Sequence, residues 1–248
     1  MRAFAHEIRR SRHRTAGCVV AAVLAVALAG CGTRSSAEEM LIDEALDATF
    51  ESDTLTTTKR MLADETAMLR TGVVDGTTVC DMRIKMGDAR VEMMVTDSGV
   101  YARRNEVVLW REAARADYFP PKLVEMMDDR WVEFDQARAR LARRAMCDRT
   151  EQRTGLEETF LAPENRGDGK ERPATLNGRP TTKITFTGGE KRVDVHVAAE
   201  GPPYLLKIIE HGGVAWTFSD FDTPYRTSAP ANAIHEDELP EQFMAALQ

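Results

Sequence analysis

The sequence predicts an α+β fold: a curved antiparallel β-sheet with helices covering its apolar face. Three observations lead there. Short alternating segments follow one another at spacings of about 8–12 residues, separated by turn residues, over 54–110 and again over 174–222. The stretch between them, 120–161, reads as helical. A further amphipathic segment precedes the first set, with Met40, Leu41, Ala45, Leu46 and Phe50 near helical spacing. Two meanders with helices between them are satisfied by one sheet packed on helices.

The elements follow in order. Residues 38–50 are the opening helix. From Asp53 the period changes to two, and 54–61 is Thr-rich and extended. Residues 66–74 and 77–85 flank Asp75-Gly76, a strong hairpin turn. Gly87-Asp88 and Asp97-Ser98-Gly99 turn the chain again around 89–95, and 100–102 and 106–110 continue the strand pattern. Pro120-Pro121 opens a segment carrying Leu123, Val124, Met126 and Met127; 131–134 is a brief extended piece. Asp135 is placed as the N-cap of an Ala- and Arg-rich helix ending at Cys147, and 154–161 is a further helix. Residues 165–173 are charged and exposed. Strands resume at Ala174, with turns at Asn177-Gly178, Gly188-Gly189, Gly201-Pro202-Pro203 and Gly212-Gly213. In 192–198, Val193, Val195 and Val197 share one face and Asp194, His196 and Ala198 the other. His196 is expected on an exposed polar face. The tail from 230 is a loop ending in a short helix at 238–247.

The N-terminus carries an address. Arg2, Arg9, Arg10, Arg12 and Arg14 precede an apolar run of about 15 residues, short of the ~20 a membrane-spanning helix needs. Basic start, apolar stretch and small residues describe a secretory signal peptide over 1–30. It ends in Leu28-Ala29-Gly30-Cys31, which resembles the bacterial lipobox. In that motif the Cys thiol receives a diacylglycerol and the peptide is cut just before it. Cys31 is therefore the expected lipidation site. Residues 31–39 form a small, polar tether, and 40–248 a single domain on the extracytoplasmic face of the cell membrane.

The whole chain has a net charge of −7; without the five arginines and one glutamate of 1–30 it is −11. So acidic a body argues against nucleic acid as a partner. Once Cys18 leaves with the signal peptide and Cys31 is lipidated, Cys80 and Cys147 remain. In an oxidising compartment a disulfide is the first reading and two buried thiols the second. No HExxH, GxSxG, P-loop or dinucleotide fingerprint is present. Neither a metal site, a cofactor nor an enzymatic activity is expected.

Several segments carry a resemblance. Thr77-Thr78-Val79-Cys80 is followed by a strand, Val100-Tyr101 and Trp110. Asn177-Gly178-Arg179-Pro180-Thr181 opens the second half, and Gly201-Pro202-Pro203 precedes Phe218-Ser219-Asp220-Phe221. In this order they resemble actinobacterial lipoproteins of the LppX/LprG type, which have a LolA-like fold. Arg103 stands where that family often has Lys, and 120–161 matches little of it. The resemblance implies a half-barrel sheet whose concave apolar face, under its helices, encloses a cavity for acyl chains of envelope lipids. Met68, Met82, Ile84, Val91, Met93, Val95, Leu123, Met127, Ile184, Val193, Val195 and Trp216 are the expected lining. Methionine suits flexible chains, though it fills ordinary cores equally well. The resulting function is lipid binding or carriage in the envelope. The alternative is an envelope protein-interaction or sensor module with a filled core and a protein partner.

Cys31→Ala is expected to release the protein from the membrane or block its processing. Membrane fractionation with a size comparison checks this, and a variant that stays bound at the mature size contradicts it.

Overall fold

The computed structural model describes residues 37–61, 64–115, 121–162, 169–187 and 191–239. The expected signal peptide, Cys31, most of the tether, the Gly188-Gly189 turn and most of the C-terminal helix lie outside these residues. Helix α1 (Ala37–Glu51) begins three residues before the expected domain boundary. It is followed by β1 (Thr54–Arg60), β2 (Glu65–Val74), β3 (Thr77–Met86), β4 (Ala89–Val95) and β5 (Val100–Arg104). Then come α2 (Glu106–Ala113), α3 (Pro121–Met127), β6 (Trp131–Phe134), α4 (Gln136–Ala142), a π-helical turn (Arg143–Cys147) and α5 (Arg149–Phe160). The second half holds β7 (Lys170–Leu176), β8 (Arg179–Phe186), β9 (Val193–Ala198), β10 (Leu205–Glu210), β11 (Ala215–Ser219) and the two-residue β12 (Ile234–His235).

The strands form one large curved sheet in the order β12-β6-β5-β4-β3-β2-β1-β11-β10-β9-β8-β7. Pairing is antiparallel except for β12, which runs parallel to β6. Two meanders are joined where β1 pairs with β11, Thr57 opposite Phe218 and Lys59 opposite Trp216. The hairpins obey their turn chemistry. Asp75-Gly76 and Asn177-Gly178 have positive φ at both residues (49° and 75°; 50° and 81°), the backbone that matches a twisted two-strand ribbon. The long outer strand β7 carries Lys170, Glu171, Arg172 and Pro173, charges and a proline that discourage pairing with another chain.

Helix starts follow sequence signals. Asp135 Oδ1 accepts from Arg138 N at 2.7 Å, capping α4 as expected. Asp148 does the same for α5 through Thr150 N at 2.9 Å, so that helix begins five residues earlier than expected. Residues 106–110 are helical, not a strand. Val107 and Val108 favour a strand locally, but as helix they let Val108 and Leu109 reach the core and leave Trp110 outside. β7 begins at Lys170 inside the segment expected to be an exposed loop, and β12 replaces part of the expected C-terminal loop.

Cys80 and Cys147 are bonded, with S–S 2.07 Å and Cα–Cα 5.5 Å. The bond ties β3 to the π-helical turn. Cys80→Ala with Cys147→Ala is expected to cost about 4 kcal/mol, because the closed loop spans 67 positions. Denaturant unfolding of oxidised parent against variant checks it.

The convex face of β9 holds a buried charge. Asp194 is 2% exposed, and its carboxylate accepts from Lys183 Nζ (2.6 Å), Thr185 Oγ1 (2.8 Å) and His211 Nε2 (2.6 Å). Burial pushes its pKa up, but the hydrogen bonds from Lys183, His211 and Thr185 outweigh burial and hold it well below the usual carboxylate range. His196 beside it is buried as well, not exposed as alternation suggested, and burial lowers its pKa. A depressed carboxylate contributes stability above its unfolded pKa of about 3.9 and loses it as pH falls below that value. Asp194→Asn, which strips Lys183 of its buried counter-charge, is expected to cost about 3 kcal/mol at pH 7. Thermal melts of both proteins from neutral to acid pH should show this gap closing below about pH 4.

Candidate functional site

Strand register assigns every residue to a face. Leu55, Thr57 and Lys59 of β1 stand opposite Thr71, Leu69 and Ala67 of β2, which stand opposite Cys80, Met82 and Ile84 of β3. Those three face Val95, Met93 and Val91 of β4, and the set continues to Val100 and Ala102 of β5. On the other side it runs through Trp216 and Phe218 to Ile208, Val195 and Ile184. Since Cys80 bonds to the helical layer, this is the helix-covered, concave face.

The expected lining residues divide among several environments. Met68 is a correction: it pairs with Thr58 and Arg83, so alternation puts it on the convex face, and Leu69 takes the concave position. Ile184, Val193 and Val195 are 0–3% exposed, which leaves no room beside them even for water. Ile42, Leu46 and Phe50 of α1 and Leu156 and Phe160 of α5 fill that half of the concave face. Val95 is sealed in a small cluster with Cys80, Val100, Ala139 and Cys147. Leu123 and Met127 pack with Leu109, Val124 and Val132, joining α2 and α3 to β6. These residues do not enclose one common space, because helix side chains occupy most of it.

Met82, Ile84, Val91 and Met93 are different. They form two direct cross-strand pairs, Met82 with Met93 and Ile84 with Val91. They are half-buried and belong to none of the three hydrophobic clusters. Ala67 of β2 stands beside Ile84 and extends the strip, while Leu69, beside Met82, packs against the cluster around Cys80. Across β1, Trp216 borders the packed half. Its ring meets Phe160 edge-on at 6.2 Å and lies 5.1 Å from Lys59 Nζ. Its Nε1 is buried without a hydrogen-bond partner among the described residues.

A second feature escaped the sequence reading. A cleft of about 640 Å³ lies between the β2–β3 hairpin and the helical insertion. Val73, Gly76, Thr77 and Thr78 form one wall; Arg140, Arg143, Arg144, Cys147, Asp148, Arg149 and Thr150 form the other. The run Arg138, Arg140, Arg143, Arg144 was visible in the sequence, but nothing there showed that the disulfide folds it over the hairpin. Among the described residues no three His, Cys, Asp or Glu side chains converge to hold a metal ion. No described helix is long and apolar enough to cross a membrane.

No protein-family model matches the chain, and no curated protein matches it significantly. Among solved structures, the complex of Pseudomonas aeruginosa MucA and MucB matches at 15% identity and a TM-score of 0.34, covering 81% of this chain and 59% of that one. MucB alone matches at 16% identity and a TM-score of 0.37, with 83% and 63% covered. An uncharacterized conserved protein from Thermus thermophilus matches at 10% identity and a TM-score of 0.35, with 81% and 100% covered. The chain thus spans about three fifths of the MucB chains it matches.

Proposed function

We propose that this chain is an envelope protein, tethered through Cys31, that holds an apolar ligand such as an acyl chain of an envelope lipid against the concave strip of β2, β3 and β4. One observation carries the reading. Met82, Ile84, Val91 and Met93 line up on the helix-covered face, yet no hydrophobic cluster takes them in. Apolar side chains aligned in this way favour an apolar occupant, and unbranched methionines adapt to a flexible one. The ligand space is smaller than the family resemblance implies, because α1 and α5 occupy the half over Ile184, Val193 and Val195. A second reading, a module that binds a protein partner, is favoured by the arginine-lined cleft.

The two halves of the concave face should respond oppositely to mutation. Met93→Glu on the strip is expected to change the unfolding free energy by less than about 1 kcal/mol. It should also abolish co-purified lipid in native mass spectra and uptake of an apolar dye. Val195→Trp in the filled half is expected to overpack and cost roughly 1–3 kcal/mol or more. A parent protein with a bare mass and no dye uptake overturns the lipid reading in favour of the second one.

A further inference from the structure

The arginine cleft stands apart from the concave strip, and its charges are not used up internally. Arg149 is spent on the backbone, donating to the carbonyls of Ser52, Asp53 and Thr71. Arg143 gives a guanidinium nitrogen to the Thr96 carbonyl at 2.7 Å. The Arg140 and Arg144 side chains are exposed and make no hydrogen bond or ion pair with any described residue. The one carboxylate in the described walls, Asp148, is engaged in capping α5. The cleft is therefore a positive site on a chain whose net charge is −7.

We infer that this cleft docks an acidic polypeptide segment of a partner protein, whose carboxylates pair with Arg140 and Arg144. Guanidinium forks match carboxylates in bidentate geometry. A volume of about 640 Å³ suits several residues and far exceeds a single inorganic anion. Beside the arginines, the described walls carry Val73, Cys147, Thr77, Thr78, Thr150, Gly76 and Asp148, so no apolar side chain larger than valine lines the cleft. That disfavours a lipid and favours a polar, extended anion. The inference does not depend on what occupies the concave strip.

The test uses the full chain in nanodiscs of phosphatidylcholine, titrated with a fluorescein-labelled decaglutamate peptide and followed by anisotropy. Saturable, salt-sensitive binding is expected. Arg140→Glu with Arg144→Glu should weaken it about tenfold or more, and the corresponding Gln pair by less. Arg172→Glu with Arg179→Glu, at the exposed edge of the sheet, makes the same change in net charge and should leave the affinity within about twofold. All variants should melt with the parent. Absence of peptide binding overturns the inference, as does equal loss in both charge-reversal pairs. Displacement of the peptide by inorganic phosphate, or by phosphatidylglycerol in the nanodisc, overturns it in favour of a phosphate or headgroup site. None of these readouts involves co-purified lipid mass, so the two proposals fail separately.

Discussion

The Arg149 guanidinium is the contact on which the rest of the arrangement depends. Half-buried, it donates to the Ser52, Asp53 and Thr71 carbonyls and to Thr71 Oγ1 at 2.9 Å. Those acceptors belong to the α1–β1 turn and to β2, so a single side chain gathers the start of α5, the exit of α1 and the middle of the sheet. Burial lowers its pKa, and the nearby Asp53 and Asp222 carboxylates oppose that shift. Two residues earlier Cys147 is covalently held to β3, and between them Asp148 caps α5. Three consecutive residues thus supply a covalent bond, a helix cap and a half-buried cation. Together they decide where the helical layer lies on the sheet.

That placement divides the concave face. With α5 fixed at its start, Leu156 and Phe160 reach the sheet beside Ile42, Leu46 and Phe50 of α1, and the valines of β9 are sealed beneath them. The helices of the first half are short and spread out. The π-helical turn covers Cys80 and Val95, while α2 and α3 pair with each other and with β6. Between these covers Met82, Ile84, Val91 and Met93 are left out of the packed clusters. Filled and unfilled regions therefore share one sheet, because a few short helices cannot cover every strand of so wide a face.

Much of this was legible in the sequence, for physical reasons that can be named. Turn dipeptides marked the hairpins because only residues tolerant of positive φ fit there, as Asp75-Gly76 and Asn177-Gly178 do. Thiol arithmetic paired Cys80 with Cys147, which the structure joins. Misses arose where tertiary contacts overrode local pattern. Met68 was assigned to the apolar face by residue type, whereas register assigns that face to Leu69. Asp194 and His196 alternate with valines, so the pattern marked them as solvent-facing. Lys183, Thr185 and His211, distant in sequence, surround Asp194 instead, and Thr181 meets the His196 ring. The β-branched Val107 and Val108 imitated a strand at α2. The division of the concave face depends on which helix lies over which strand, and residue periodicity does not encode that.

Strand β3 brings these features onto one line. Its alternate residues Thr78, Cys80, Met82 and Ile84 share a face. Thr78 lies in the wall of the arginine cleft, Cys80 holds the disulfide, and Met82 and Ile84 belong to the apolar strip. At about 3.4 Å per residue, the four positions from Thr78 to Met82 separate cleft and strip by about 14 Å of one strand. The disulfide sits between them and fixes the arginine-bearing turn to the strand that carries the strip. An extended strand braced by a covalent bond changes length and register only at the expense of its ladder of hydrogen bonds. The spacing between the arginine cleft and the apolar strip is therefore set by the strand and its disulfide, not by the side chains at either end.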